Sequence, residues 1–347
     1  MEQYLENSLC GLGLADAGLF PLVDAGDVAR LLQRCPAHAP TPLRNAAALA
    51  ARLGIGQLWL KDERARMGLG SFKALGAAHA IARAAAATGA PDLHHALRGQ
   101  IYVTASAGNH GLSVAAGARL FGARARVYLS QAVPEAFADR LRAKRAEVWR
   151  AGADYEASMQ AAAEAAAAHG WTLLSDSSWP GYTELPLRVM EGYLQLAAEA
   201  AAQIDRPPTH ILLQAGVGGL AAAVAGHARH VWGDSPQIIV VEPEAAPALI
   251  ESIRAGKLVA TSGPASCMGR LDCKTPSMIA LNGLARDADV FVTISEEDAL
   301  RAVDLLAAHG LPTTPSGAAG VAALLAGLDL PPEARVMAIL SEGPEDG

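Results

Sequence analysis

Met67-Gly68-Leu69-Gly70-Ser71-Phe72-Lys73-Ala74-Leu75 sets one lysine after a small, turn-capable run and at the mouth of an apolar helix. A lysine there is expected to be short of water. Read alone, the stretch also suits a solvated helix residue, because lysine is seldom buried without a partner. Two further motifs change that reading: Ser106-Ala107-Gly108-Asn109-His110-Gly111 and Gln214-Ala215-Gly216-Val217-Gly218-Gly219-Leu220. Each follows an apolar, strand-like run and precedes an alanine-rich helical run, so the three read as parts of one site.

The segments around these motifs set the fold class. Residues 57–61, 100–105, 125–129, 209–214, 237–242, 290–294 and 335–341 have strand character, and 72–87, 111–121, 134–144, 157–169, 185–203, 218–230, 296–309 and 317–326 have helical content and spacing. Alternation of this kind predicts an α/β chain with mostly parallel sheets. Strand, glycine-rich turn and helix follow one another at 103–111 and 212–219, where open α/β sheets bind ligands beyond the carboxyl ends of their strands. A chain of 347 residues exceeds one core of usual size and predicts two lobes.

Composition narrows the partners. Only 18% of residues are charged, the net charge is -7, and no block of Lys or Arg exceeds a couple of residues, which argues against a nucleic-acid surface and for a small-molecule substrate. Apolar runs such as 220–225 stop far short of the roughly 20 residues that span a bilayer, and the start lacks a basic, then apolar, export pattern. The expectation is a soluble cytoplasmic protein with no membrane contact. Cys10, Cys35, Cys267 and Cys273 lack CxxC spacing, so they are expected as reduced thiols, with no structural zinc or other metal.

Gly216-Val217-Gly218-Gly219 at a helix mouth leaves backbone N–H groups open to a phosphate, although a packing turn would look the same. No GxxxxGK[ST] run is present, which disfavours a nucleotide cofactor. A phosphate site plus a recessed lysine suggests pyridoxal phosphate, whose aldehyde needs an amine of lowered pKa and which then serves as an electron sink.

Here the chain resembles a family. Lys61-Asp62-Glu63, Ser71-Phe72-Lys73, the loops at 106–111 and 216–219, Pro315-Ser316-Gly317-Ala318 and Ser341-Glu342-Gly343 occur in the order seen in fold type II (tryptophan synthase β-like) pyridoxal phosphate enzymes, over roughly residues 37 to 346. Asp176-Ser177-Ser178-Trp179-Pro180-Gly181-Tyr182 is most similar to diaminopropionate ammonia-lyases. The resemblance implies two open, twisted, mostly parallel sheets flanked by helices. It places a large cofactor-binding domain at 1–85 and 175–347, a small mobile domain at 86–174, and a homodimer.

The resemblance also implies roles. Lys73 would hold pyridoxal 5'-phosphate covalently, Asn109 would bond its ring hydroxyl, Gly216, Val217, Gly218 and Gly219 would cradle its phosphate, and Ser341 would face the pyridine nitrogen. A neutral hydroxyl there favours prompt loss of a β-substituent over transamination. Ser106, Ala107 and Gly108 would receive the substrate, with the carboxylate at the helix mouth. Asp176 would act as acid/base, its pKa raised toward working pH by partial burial. Without the family it reads as a turn or helix cap beside Ser175 and Ser177. His110 reads as a structural histidine beside a ligand loop and Tyr182 as a packing residue, while Trp179 is assigned no role.

Two departures from the family matter. The ammonia-lyases carry an acid where this chain has Ala107, and threonine and serine dehydratases tend to have alanine, so a one-faced eliminase acting on L-amino acids is expected. Pro315 stands where relatives often have glutamate. In the divergent stretch Cys267–Cys273, Arg270 and Asp272 read as solvated loop charges. The sequence thus predicts a lyase of amino-acid catabolism that cleaves a β-amino- or β-hydroxy-substituted L-amino acid, first L-2,3-diaminopropionate, to an α-keto acid and ammonia. Rival readings are a threonine/serine dehydratase-like deaminase, a β-replacement enzyme similar to cysteine synthase, and a non-catalytic cofactor-binding protein.

Overall fold

Strands that run in parallel and end level with one another bring the motifs at 67–75 and 214–220 to one edge of the larger sheet, and the motif at 106–111 leaves the end of a strand in a second sheet. The computed structural model describes residue 1 and residues 3–344; residues 345–347, which the sequence reading assigns to the large domain, lie outside the described residues. The elements are β1 (Gln3–Glu6), α1 (Gly26–Leu32), β2 (Leu43–Asn45), α2 (Ala47–Leu53), β3 (Gln57–Asp62), α3 (Lys73–Ala87), β4 (Ile101–Thr104), α4 (Asn109–Leu120), β5 (Arg124–Leu129), α5 (Glu135–Ala143), β6 (Glu147–Arg150), α6 (Tyr155–His169) and β7 (Thr172–Leu173). They continue as α7 (Glu184–Gln203), β8 (His210–Gln214), α8 (Gly219–Trp232), β9 (Gln237–Pro243), α9 (Ala248–Ala255), α10 (Met278–Asp287), β10 (Val290–Ile294), α11 (Glu296–Ala308), α12 (Pro315–Leu325) and β11 (Arg335–Leu340).

One sheet has the order β1-β10-β9-β8-β11-β3-β2 and the other β6-β5-β4-β7. All pairings are parallel except those of the edge strands β1 and β2. This is the fold expected from the sequence. Central strands such as β8 and β11 are buried along nearly their whole length, as a sheet covered on both faces requires, which is why they read as unbroken apolar runs. Leu340 pairs with Asp62 and Ala338 with Leu212, so the carboxyl ends of β3, β8 and β11 lie side by side. From those ends the chain passes into 64–72, 215–218 and 341–343.

A buried charge network fixes the segment that leads to Lys73. Arg66 donates to Glu63 at 2.7 Å and to Glu199 of α7 at 2.7 Å, and Lys61 Nζ donates to Glu199 at 2.8 Å and to the Thr41 carbonyl at 2.7 Å. Every partner is satisfied, which is the condition for burying charge at tolerable cost. Burial pushes the Lys61 pKa down, yet its ammonium is fully engaged and is not available to a ligand. At the other end of the large sheet, the Asn7 amide donates to the Ala285 and Ala288 carbonyls, closing the end of α10 and seating β1 against β10. Among the described residues, no helix is long and apolar enough to cross a membrane.

Candidate active site

Lys73 is the first residue of α3, and its ammonium lies against the Asp176 carboxylate with both side chains mostly buried. Two rings wall the amine: Nζ stands 5.2 Å from the centroid of Phe72 and 5.8 Å from that of Tyr193, and the rings meet edge to face at 4.9 Å. Tyr193 also packs against the phosphate-loop candidate, since a Cβ on Gly219 would lie 3.6 Å from its ring. It requires glycine at position 76 of α3 as well, where a Cβ would fall 2.6 Å from the ring. Its hydroxyl is buried with no hydrogen-bond partner among the described residues.

The expected pKa directions are reversed in this pair. Burial by itself would lower Lys73 and raise Asp176. The two charges stand in contact, however, and their attraction outweighs burial, holding Lys73 well above the ordinary lysine value and Asp176 well below the usual carboxylate range. The contact joins residues 103 apart in the chain. Asp176 is thus poised as a carboxylate only while Lys73 is a cation beside it.

The segment around Asp176 is tied on both sides. Leu174 N donates to the Val103 carbonyl at 2.7 Å, Ser175 N to the Tyr182 hydroxyl at 3.0 Å, and the Ser178 hydroxyl accepts from Ile279 N at 2.9 Å, capping α10. The turn bond is made by Ser175, whose hydroxyl accepts from Ser177 N, which frees the Asp176 carboxylate for Lys73. Trp179 stacks on Tyr182 at 4.4 Å, as packing residues would. His110 Nε2 donates to the Leu174 carbonyl at 2.9 Å, and burial pushes its pKa down.

Two helix mouths open beside the pair. Gly218 has φ +94° and caps α8 without any side-chain bond, leaving the first N–H groups of that helix uncovered. A Cβ on Gly216 would fall 2.9 Å from the Cys273 sulfur and 2.9 Å from Leu271 Cα, so the loop is pressed against 271–273 and only glycine fits. At α4 the cap is Gly108, again with no side-chain bond and with open space where a Cβ would point. Asn109 stands at the start of α4, and its amide donates to Glu342 at 2.5 Å. Ser341 follows β11, and its carbonyl accepts from Phe72 N at 3.0 Å, which sets the end of β11 beside Lys73.

Arg270 and Asp272 are not the solvated charges expected. Arg270 Nε lies 2.9 Å from Glu342, and Asp272 takes Lys274 at 2.5 Å and Ser266 N at 3.2 Å, because the 266–273 loop folds down onto the end of β11 and α12. Sequence reading also passed over Glu342 and Tyr193 as site residues. Glu342 was visible within Ser341-Glu342-Gly343; Tyr193 carries no local signal and is drawn in only by the packing of α7 on α3. The four cysteines are free thiols, and burial pushes Cys273 up to about 12.

An uncapped glycine loop at a helix mouth, an amine at the start of α3 and a half-buried amide at Asn109 fit a phosphate-bearing aldehyde cofactor. Residues 35–342 match the pyridoxal-phosphate dependent enzyme family, and the chain belongs to it. Its cofactor is pyridoxal 5'-phosphate, and its fold is that of the fold type II group. Over 300 residues the chain is 34% identical to a diaminopropionate ammonia-lyase of Salmonella typhimurium, covering 80% of this chain and 72% of that protein. It is 29% identical over 304 residues to a human serine dehydratase-like protein, covering 87% of each. The crystal structure of the Escherichia coli diaminopropionate ammonia lyase in complex with D-serine superposes with a TM-score of 0.89 at 29% identity, over 99% of this chain and 94% of that one. The same enzyme in complex with an aminoacrylate-PLP azomethine reaction intermediate superposes with a TM-score of 0.88 over the same share of each chain.

Proposed function

We propose that the chain is a carbon–nitrogen lyase that converts L-2,3-diaminopropionate and water to pyruvate and two molecules of ammonia. The observation that carries this reading is the Lys73–Asp176 contact at the level of two uncapped helix mouths. Bound pyridoxal phosphate supplies the electron sink that makes the substrate Cα–H acidic. Lys73 anchors the cofactor, Gly216, Val217, Gly218 and Gly219 hold its phosphate, Asn109 its ring hydroxyl, and Ser341 faces its ring nitrogen. Ser106, Ala107 and Gly108 at the α4 mouth receive the substrate carboxylate. Lys73 Nζ takes the α-proton. While Lys73 is engaged with the cofactor, Asp176 faces no free ammonium, is pushed up by burial and holds a proton; once Lys73 has taken the α-proton, its ammonium beside Asp176 favours the carboxylate, which gives up that proton to the departing β-amine. Two lobes, 86–174 and the remainder, a homodimer, a cytoplasmic setting and a part in amino-acid catabolism complete the proposal.

Ala107 favours one other reading, a serine/threonine dehydratase-like deaminase, in which the same groups expel hydroxide as water. A substrate panel separates them: L- and D-diaminopropionate, serine, threonine and hydroxyaspartate, read out as keto acid and ammonia. Diaminopropionate is expected to be the best substrate by kcat/KM; faster turnover of serine or threonine would make it a dehydratase. A new amino acid formed on adding thiol would make it a β-replacement enzyme.

The phosphate assignment predicts that Gly218→Asp strongly weakens cofactor binding. A carboxylate at the helix mouth opposes the phosphate charge, and a Cβ at φ +94° is strained and presses on Ala280, Leu249 and Leu284 at 3.2–3.3 Å. Titration with pyridoxal phosphate checks this, with Gly218→Ala separating strain from charge. Unchanged affinity in a folded Gly218→Asp protein would make the loop structural. Ala107 predicts that D-diaminopropionate is a poor substrate, because a methyl group moves no proton on that face. Ala107→Asp is expected to raise D-isomer kcat/KM several-fold, and equal rates on both enantiomers in the unmodified chain would refute the one-faced account.

A further inference from the structure

Two cavities meet where α3, α4 and α5 face the segment leading into Lys73. One, of about 450 Å³, is lined by Arg64, Arg140, Lys144 and Arg270, with Asn109 at its inner end. The other, of about 470 Å³, is mainly apolar, with Met67, Ala78, Ala116 and Leu120 in its walls. They share Leu69 and Lys144 in their walls, so they adjoin. Among the described residues no acidic side chain lines either, in a chain of net charge -7.

The cations are not all neutralised. Arg64 is held by Asp62 at 2.8 Å, and Arg270 Nε lies 2.9 Å from Glu342. The side chains of Arg140 of α5 and Lys144 at its C-cap, four residues apart and on one face, make no hydrogen bond or ion pair with any described residue. Like charges gathered without counter-charge repel one another, and an anion between them relieves that cost. Gly68 and Gly70, with φ +67° and +81°, have nothing within 4 Å of where a Cβ would point, so a ligand can approach the backbone of this wall. The loop at 216–219 lines neither cavity.

We propose that the two adjoining cavities bind a small phosphate ester with an apolar body. Its phosphate sits between Arg140 and Lys144 on one side and Arg64 and Arg270 on the other, and its body fills the adjoining apolar cavity. The ligand touches the 68–70 turn three residues before Lys73 and touches Asn109, so its occupancy acts on the site through both. This is a second anion site, independent of the substrate assigned above.

The test uses holoenzyme at low ionic strength, so that the cofactor already fills the 216–219 loop. Calorimetric titrations with phenyl phosphate, tripolyphosphate and citrate are compared for the wild type and an Arg140→Ala/Lys144→Ala variant, whose half-exposed positions leave the core intact. Saturable binding of phenyl phosphate is expected, weakened about tenfold or more in the variant and weakened by added salt, with tripolyphosphate following the same order and citrate binding more weakly. Absence of saturable phenyl phosphate binding at millimolar concentration, or equal affinity in the variant, would overturn the site. Citrate binding as tightly as phenyl phosphate would overturn the phosphate-ester assignment. Circular dichroism of the variant confirms that a lost signal reflects the cations and not the fold.

Discussion

Lys73→Ala is expected to reduce turnover of L-diaminopropionate about 10⁴-fold or more, the scale of removing a group that works as a unit with its partner. The amine is the nucleophile for the cofactor and the base for the α-proton, and neither of two other buried or half-buried lysines is free to take its place: Lys61 is held in its own network and Lys274 is tied to Asp272 and two carbonyls. The same change has a signature that does not depend on activity. In cofactor-free wild type, Asp176 is held low by Lys73, so its stabilising contribution is present above the unfolded carboxylate pKa of about 3.9 and is lost as pH falls through the lower folded value. Without Lys73, the strongest influence that lowers Asp176 is gone, and burial raises it against the weaker pull of His110 and a backbone N–H. The sign then reverses: the variant gains stability as the carboxyl protonates and loses it as pH rises through the raised value. The Tm deficit of cofactor-free Lys73→Ala against wild type should therefore be larger at about pH 8 than at about pH 5. A deficit independent of pH would mean that the two side chains do not interact as described.

Asp176→Asn is the second large effect. An amide keeps the shape and can still accept a hydrogen from Lys73, but it neither holds nor delivers an acidic proton. Turnover of the L-isomer is expected to fall by about 10²- to 10⁴-fold, the usual range for losing a general acid/base, with cofactor affinity little changed. A drop confined to KM would instead assign Asp176 to substrate binding. Wild-type rates in the variant would leave all proton transfer to Lys73 or to a group not yet named.

Much of the frame was legible because its signals are local. β8, β9, β10 and β11 are buried parallel strands that read as continuous apolar runs, and α3, α7 and α8 carry long alanine-rich spacing. What escaped is short or peripheral: β1 and β2 are edge strands of a few residues, β6 and β7 are only half-buried, and α1 and α2 are too short to show helical periodicity. α9 and α10 are also absent from the sequence reading; α9 is only eight residues long. In the site, a glycine loop and a helix-opening lysine announce themselves in sequence. The ring of Tyr193 beside the amine, the seat of Asn109 on Glu342 and the direction of the Lys73 and Asp176 pKa values depend on which distant segments meet, and no local pattern encodes that.

Borohydride reduction of the yellow holoenzyme, followed by peptide mapping, tests the central claim most directly. A single pyridoxyl group, on Lys73, is expected. A label on Lys61, Lys144, Lys257 or Lys274 would contradict it.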